Sequence, residues 1–189
     1  MSLAVTTLFW GVGATLQFAV LRWAIDVLGL SLSQGAYMQA VVAVGVVAGA
    51  WLAGRTVAIG QARRVLPLGI VLGVCIALAA LSPNLPVALA LLALVGAIGG
   101  MLVVPMNALL QHRGHVLLTA GRSIAVQGFN ENLSVLVMLS GYAALLAYQV
   151  PIVKLMLAFG VLIGTLVGLL WLRTRSEQRS GRREAQAVS

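Results

Sequence analysis

The chain has 189 residues, 61% of them hydrophobic and 8% charged, and carries a net charge of +8. A water-soluble domain of this size keeps a large polar surface, and these residues cannot supply one, which argues against a soluble enzyme or binding module. The positive charge does not point to nucleic acid, because the basic residues sit in short stretches between apolar runs rather than on one continuous face.

Six apolar windows fall at 3–21, 36–54, 65–82, 87–110, 124–148 and 152–172. Each is close to the ~20 helical residues that cross a hydrocarbon core of ~30 Å. The runs are continuous rather than alternating, so a β-barrel is excluded. The predicted fold is an all-α integral membrane domain over residues 1–172 with six transmembrane helices. The first window follows Met1 and Ser2 without a basic stretch and reads as a span, not a cleavable signal peptide. At ~100° per residue it places Thr6, Trp10, Gly13 and Gln17 on one face. Arg22 and Asp26 follow it at pairing distance.

The middle windows carry glycines four apart: Gly45/Gly49, Gly69/Gly73, Gly96/Gly100, and later Gly160/Gly164/Gly168. Small residues at that spacing let helices approach closely in lipid, so a tight bundle is expected. The single cysteine, Cys75, offers no disulfide and reads as a packing residue. The fourth window carries a weak polar stripe of Gly96, Gly100, Val103, Asn107 and Gln111. Pro105 within it withdraws one backbone donor and frees the Met101 carbonyl. The segment Gln111, His112, Arg113, Gly114, His115 then reads as interfacial anchoring, with Arg113 placed to meet a phosphate. Two histidines without further ligands do not make a metal site.

The fifth window is the most informative. Ser123, Gln127, Asn130, Glu131 and Ser134 fall within one arc, while Phe129, Leu133 and Leu136 take the opposite side. Asn132 points elsewhere and is expected to bond a neighbouring helix. Glu131 is one of only four acidic residues, and seven helical residues place it ~10 Å below the membrane surface. A charge at that depth is costly unless it faces a partner or a wet cavity, which marks Glu131 as a functional candidate.

Arg55, Arg63 and Arg64 follow the second window, Arg113 and Arg122 flank the fourth and fifth, and Arg173, Arg175, Arg179, Arg182 and Arg183 follow the sixth. Only Arg22 and Lys154 fall on the other side. The positive-inside rule therefore places the loaded side, and both termini, in the cytoplasm. The polar tail 173–189 is expected to be disordered and to touch anionic lipid. No phosphate-cradling loop, nucleophile elbow or cofactor motif is present, so no enzyme activity and no cofactor are expected.

The stretch 104–115 (VPMNALLQHRGH) and the stretch 123–134 (SIAVQGFNENLS) resemble the lysophospholipid transporter family of Gram-negative inner membranes, within the major facilitator superfamily. The similarity runs from Ser2 through the sixth window. Residues 49–55 with Arg63 and Arg64 are similar to the superfamily's cytoplasmic loop motif, with Gly54 standing where an acidic residue is usual. Gly128 also departs from the polar residue expected there. The resemblance implies movement of lysophospholipid, chiefly lysophosphatidylethanolamine, from the outer to the inner leaflet of the bacterial inner membrane. It implies re-acylation there by a cytoplasmic-face acyltransferase/acyl-carrier-protein synthetase. It also implies that Asn107, Gln111, Arg113, Gln127, Asn130, Glu131 and Asn132 line the substrate cavity and its cytoplasmic end.

Such transporters have twelve spans in two six-helix halves, and this chain resembles the C-terminal half. A fragment, a split transporter with a separate N-terminal half, and a self-pairing six-helix protein all fit. The functional alternatives are an efflux carrier for amphipathic cations, with Glu131 as counter-charge, and a non-transporting helical scaffold.

Overall fold

The computed structural model describes residues 2–117 and 120–187, and among them it contains six α-helices and no strand. These are α1 (Ser2–Asp26), α2 (Leu32–Thr56), α3 (Leu68–Leu81), α4 (Leu85–Leu117), α5 (Ala120–Ala147) and α6 (Ile152–Ala187). Five of them are long and apolar enough to cross a membrane. The expected all-α membrane fold is what the chain adopts.

The expected third span, 65–82, is shorter than predicted. Its helix begins only at Leu68 and has 14 residues, and Ile59–Val65 forms a 3₁₀ segment before it. Pro67 stands at the boundary with helical φ and ψ. It has no N–H to give, so it suits a helix start and not a helix interior. At ~1.5 Å per residue α3 is roughly 21 Å long, less than the ~30 Å core. The tail differs too. Where composition suggested disorder over 173–189, α6 continues to Ala187. Extending an existing helix needs no new nucleus, and the tail's Arg, Glu, Gln and Ala residues are good helix formers.

Short turns make consecutive helices antiparallel. Gly29, with φ of 65°, turns the chain between α1 and α2. Ser31 then caps α2 by accepting from the Gln34 amide, while the Gln34 side chain accepts from the Ser31 N–H at 2.9 Å. Gln149, with φ of 56°, makes the turn between α5 and α6.

The buried residues form two clusters, one at each end of the bundle. One gathers the ends of α1, α3 and α5 with the starts of α2, α4 and α6, around Trp23, Met38, Leu92 and Met156. The other joins the 3₁₀ segment to the start of α3 and the ends of α4 and α6, around Leu66, Ile76, Met106 and Val167. Trp23 ties the first end together by donating from Nε1 to the Ala80 carbonyl at 3.1 Å. Arg55, Arg64, Arg122 and Arg173 all belong to the opposite end, whereas Arg22 and Lys154 belong with Trp23. The charge asymmetry of the sequence is therefore an asymmetry between the two ends of one bundle.

The main helix pairs are α1 with α5, α2 with α4, and α3 with α6. Exchanging α1, α2, α3 for α4, α5, α6 returns the same three pairs. Three antiparallel helices begin and end on opposite sides, so the second triplet runs inverted relative to the first. This is the pattern of an inverted three-helix repeat.

Glycines make two of these pairs possible. A Cβ on Gly49 would overlap the Ala97 backbone, and one on Gly96 would overlap the Val42 carbonyl, so α2 and α4 touch backbone to backbone. Gly73 of α3 and Gly160 of α6 stand in the same relation, each against the other's carbonyl oxygen. Contacts this close allow Cα–H···O interactions and dense packing, which replace the hydrophobic driving force that lipid removes.

Candidate functional site

The polar residues of α5 turn toward α1 and α4. Ser134 packs against Gly11 of α1, where no side chain would fit. One α-helical turn and more away, Gln127 donates from Nε2 to Asn107 Oδ1 of α4 at 3.1 Å and to Glu131 Oε1 at 2.8 Å. Gln127 and Glu131 are four apart and so lie one above the other on a helix face. Asn107 reaches them from the turn after Val103. The three side chains form a chain of hydrogen bonds across the α4–α5 junction, and each is half-buried. Among the described residues no cation is paired with the Glu131 carboxylate. On the opposite face of α5, Phe129 and Leu136 are 67% and 64% exposed, as suits a surface turned to lipid.

The structure brings Asn107, Gln127 and Glu131 together. It does not do so for every residue on the predicted arc. Asn130 donates to the Val126 carbonyl, within its own helix, at 2.8 Å. Asn132, expected to bond a neighbouring helix, donates instead to the Gly128 carbonyl at 2.8 Å and is exposed. An Asn side chain inside a helix can satisfy its amide by sharing the carbonyl one turn back. Gln111 is exposed one turn beyond Asn107. The side chain of Arg113 lies outside those described, as do those of His112, His115 and Ser123. On α4, Gly100 is occupied by α2 rather than open to a cavity.

A second feature lies elsewhere in the bundle. A cavity of about 370 Å³ lies among α1, α2, α3, α4 and α6. Thr6, Trp10, Gly13 and Gln17, grouped on one face of α1 by their spacing, all line it. Its wall is otherwise apolar, apart from Gln39 of α2, whose Nε2 donates to the Gln17 backbone carbonyl. Gln39 was not a candidate from sequence. A lone amide in the second apolar window is the available signal, but its partner depends on the register of α1 against α2, which sequence does not show. Val103 lines the cavity and Asn107 stands one turn further along α4, while no residue of α5 is among its walls.

Chemically, the cluster offers one carboxylate and two amides inside the spans, and the cavity offers an apolar recess. Fold and site define a multi-pass α-helical membrane protein that holds a carboxylate within its bundle. No protein-family model matches the chain, and no solved structure matches it. Curated relatives do. The lysophospholipid transporter LplT of Salmonella arizonae is 42% identical over 177 residues, covering 93% of this chain and 44% of that protein. LplT of Shigella boydii serotype 4 is 41% identical over 175 residues, and that of Escherichia coli O1:K1 is 40% identical over 175 residues. Each of these two matches covers 92% of this chain and 44% of the relative. The chain is similar to these lysophospholipid transporters along nine-tenths of its length and spans a little under half the length of the relatives it matches.

Proposed function

We propose that the chain is one six-helix half, the C-terminal one, of a secondary-type transporter that moves lysophospholipid, chiefly lysophosphatidylethanolamine. The movement runs from the outer to the inner leaflet of the bacterial inner membrane. The observation that carries this reading is identity of about 40% to lysophospholipid transporters along nine-tenths of the chain. The geometry supports it with a polar cluster suited to a headgroup. An ammonium pairs with the carboxylate of Glu131, which already accepts from Gln127. Asn107 and Gln127 then orient that carboxylate, and Asn130, Asn132, Gln111 and Arg113 belong to the wider path toward the basic end of the bundle.

Both termini lie on the cytoplasmic side in this reading, because the arginine-rich end is the inner one. The cavity between halves is completed by a facing six-helix unit, either a separate N-terminal half or a second copy. A cytoplasmic-face acyltransferase/acyl-carrier-protein synthetase re-acylates the delivered lysolipid. The test is translocation of a fluorescent lysophosphatidylethanolamine into cells or vesicles that hold the complete transporter. Headgroup-dependent uptake is expected. Equal uptake of an amphipathic cation such as tetraphenylphosphonium, with no uptake of lysophospholipid, would replace the reading with cation efflux.

A further inference from the structure

We infer that the cavity among α1, α2, α3, α4 and α6 receives the single acyl chain of the lysophospholipid, with the headgroup held at Asn107, Gln127 and Glu131. This inference rests on the reading that the chain handles lysophospholipid, and goes beyond it by placing the chain-binding site inside this six-helix unit.

Three observations carry it. The first is size. At about 370 Å³ the cavity falls in the range of pockets that take small organic ligands, so a single acyl chain can enter it. The second is polarity. The walls are mainly Val, Leu, Ile, Ala, Phe and Gly; of the few polar groups, the Thr6 hydroxyl donates to the Leu3 carbonyl and Gln39 to the Gln17 carbonyl, leaving the Gln17 and Trp10 side chains at the exposed margin. Such a recess does not hold water well and favours an apolar occupant. The third is alignment. The α4 residues that line the cavity run from Val95 to Val103, and Asn107 follows on the same strip of helix. From Asn107 to Val95 is twelve residues, roughly 18 Å along the axis, close to the length of an extended acyl chain. A headgroup at the polar cluster thus leaves its tail pointing into the recess.

Gly13 makes the inference testable. It lines the cavity, and a Cβ there would meet nothing within 4 Å. Gly13→Leu therefore fills the recess without forcing backbone apart, and leucine favours the helix more than glycine does. The experiment uses the full chain in nanodiscs of diacyl phosphatidylethanolamine and phosphatidylglycerol. The probe is a palmitoyl lysophosphatidylethanolamine carrying a diazirine at mid-chain. After photolysis the adducts are mapped by mass spectrometry, with and without excess unlabelled lysolipid.

Saturable adducts are expected on α1 between Trp10 and Gln17 and on α4 between Val95 and Val103. Gly13→Leu should reduce them roughly tenfold, the factor that expelling even two methylenes produces. A lysophosphatidylglycerol with the same chain should still label these sites in Glu131→Gln, since the tail and not the headgroup fills the cavity. Saturable adducts located only on the outward faces of α2 and α5, and unchanged in Gly13→Leu, would overturn the acyl-site inference while leaving lysophospholipid handling intact. Equally strong adducts at these positions from a diacyl phosphatidylethanolamine carrying the same diazirine chain would overturn its single-chain character. No saturable adduct anywhere would overturn both the inference and the reading beneath it.

Discussion

Glu131 is tolerated inside a span because Gln127 donates to it and Asn107 in turn accepts from Gln127, so the carboxylate is oriented but not neutralised by a cation among the described residues. In the proposed transporter this leaves the carboxylate to a positively charged ligand. Glu131→Gln keeps shape and hydrogen bonding and removes the charge. In the complete transporter it should lower lysophosphatidylethanolamine translocation by on the order of tenfold, equivalent to about 1.4 kcal/mol. Membrane abundance and melting temperature should stay as in the wild type. Glu131→Ala should lower abundance as well, because Gln127 then loses a partner. Wild-type rates for Glu131→Gln across a pH series would reduce the cluster to structural glue. The Asn107–Gln127 bond is a separate matter: a double-mutant cycle to alanine should give a coupling of about 0.6 kcal/mol, typical of interhelical bonds in membranes. A coupling indistinguishable from zero would mean that the bond does not hold α5 to α4.

At the scale of helices, the bundle depends on where a side chain cannot exist. A methyl on Gly49 would meet the Ala97 backbone, which cannot yield as a flexible side chain can, whereas one on Gly54 would meet nothing within 4 Å. Gly49→Ala is therefore expected to destabilise the protein by about 1–3 kcal/mol, the range for overpacking. Gly54→Ala should be neutral or slightly stabilising. Thermal unfolding in mild detergent compares the two, and equal melting temperatures would contradict the backbone-to-backbone packing of α2 on α4. The paired glycines were legible from their spacing, as were five of the six windows, because both signals are local and periodic. The late start of α3 was less so: hydropathy windows register apolar content and not the N–H that Pro67 lacks. The helical tail was hidden by its polarity, since composition reports cost of burial and not continuity with α6. At the site, the stacking of Gln127 and Glu131 follows from their spacing of four. The choice of Asn107 as partner and the Gln39 bond depend on how helices register against one another, and the bond of Asn132 to its own helix's Gly128 follows from its exposed position.

For the whole molecule, the two core clusters and the arginines define a bundle with one basic end, carrying both the start of α1 and the described end of α6. The account places that end in the cytoplasm. A fluorescent reporter fused after Ser189 should glow, and an alkaline phosphatase fused there should stay inactive; the opposite pair of results would reverse the topology. The pairing of α1 with α5, α2 with α4 and α3 with α6 leaves much of α2 and α5 facing outward, with Tyr37, Val47 and Trp51 more than half exposed on α2. In a transporter of two halves such surfaces meet either lipid or the facing unit. Reconstitution decides whether this chain works as half of a lysophospholipid transporter. Purified chain is placed in vesicles alone, and separately with a facing six-helix half from a family member, and inward movement of labelled lysophosphatidylethanolamine is followed by dithionite quenching. Movement no faster than in protein-free vesicles is expected for the chain alone, and movement that depends on Glu131 once the facing half is present. Rapid translocation by the chain shown to be monomeric, or none in a folded complex of both halves, would contradict this half-transporter role.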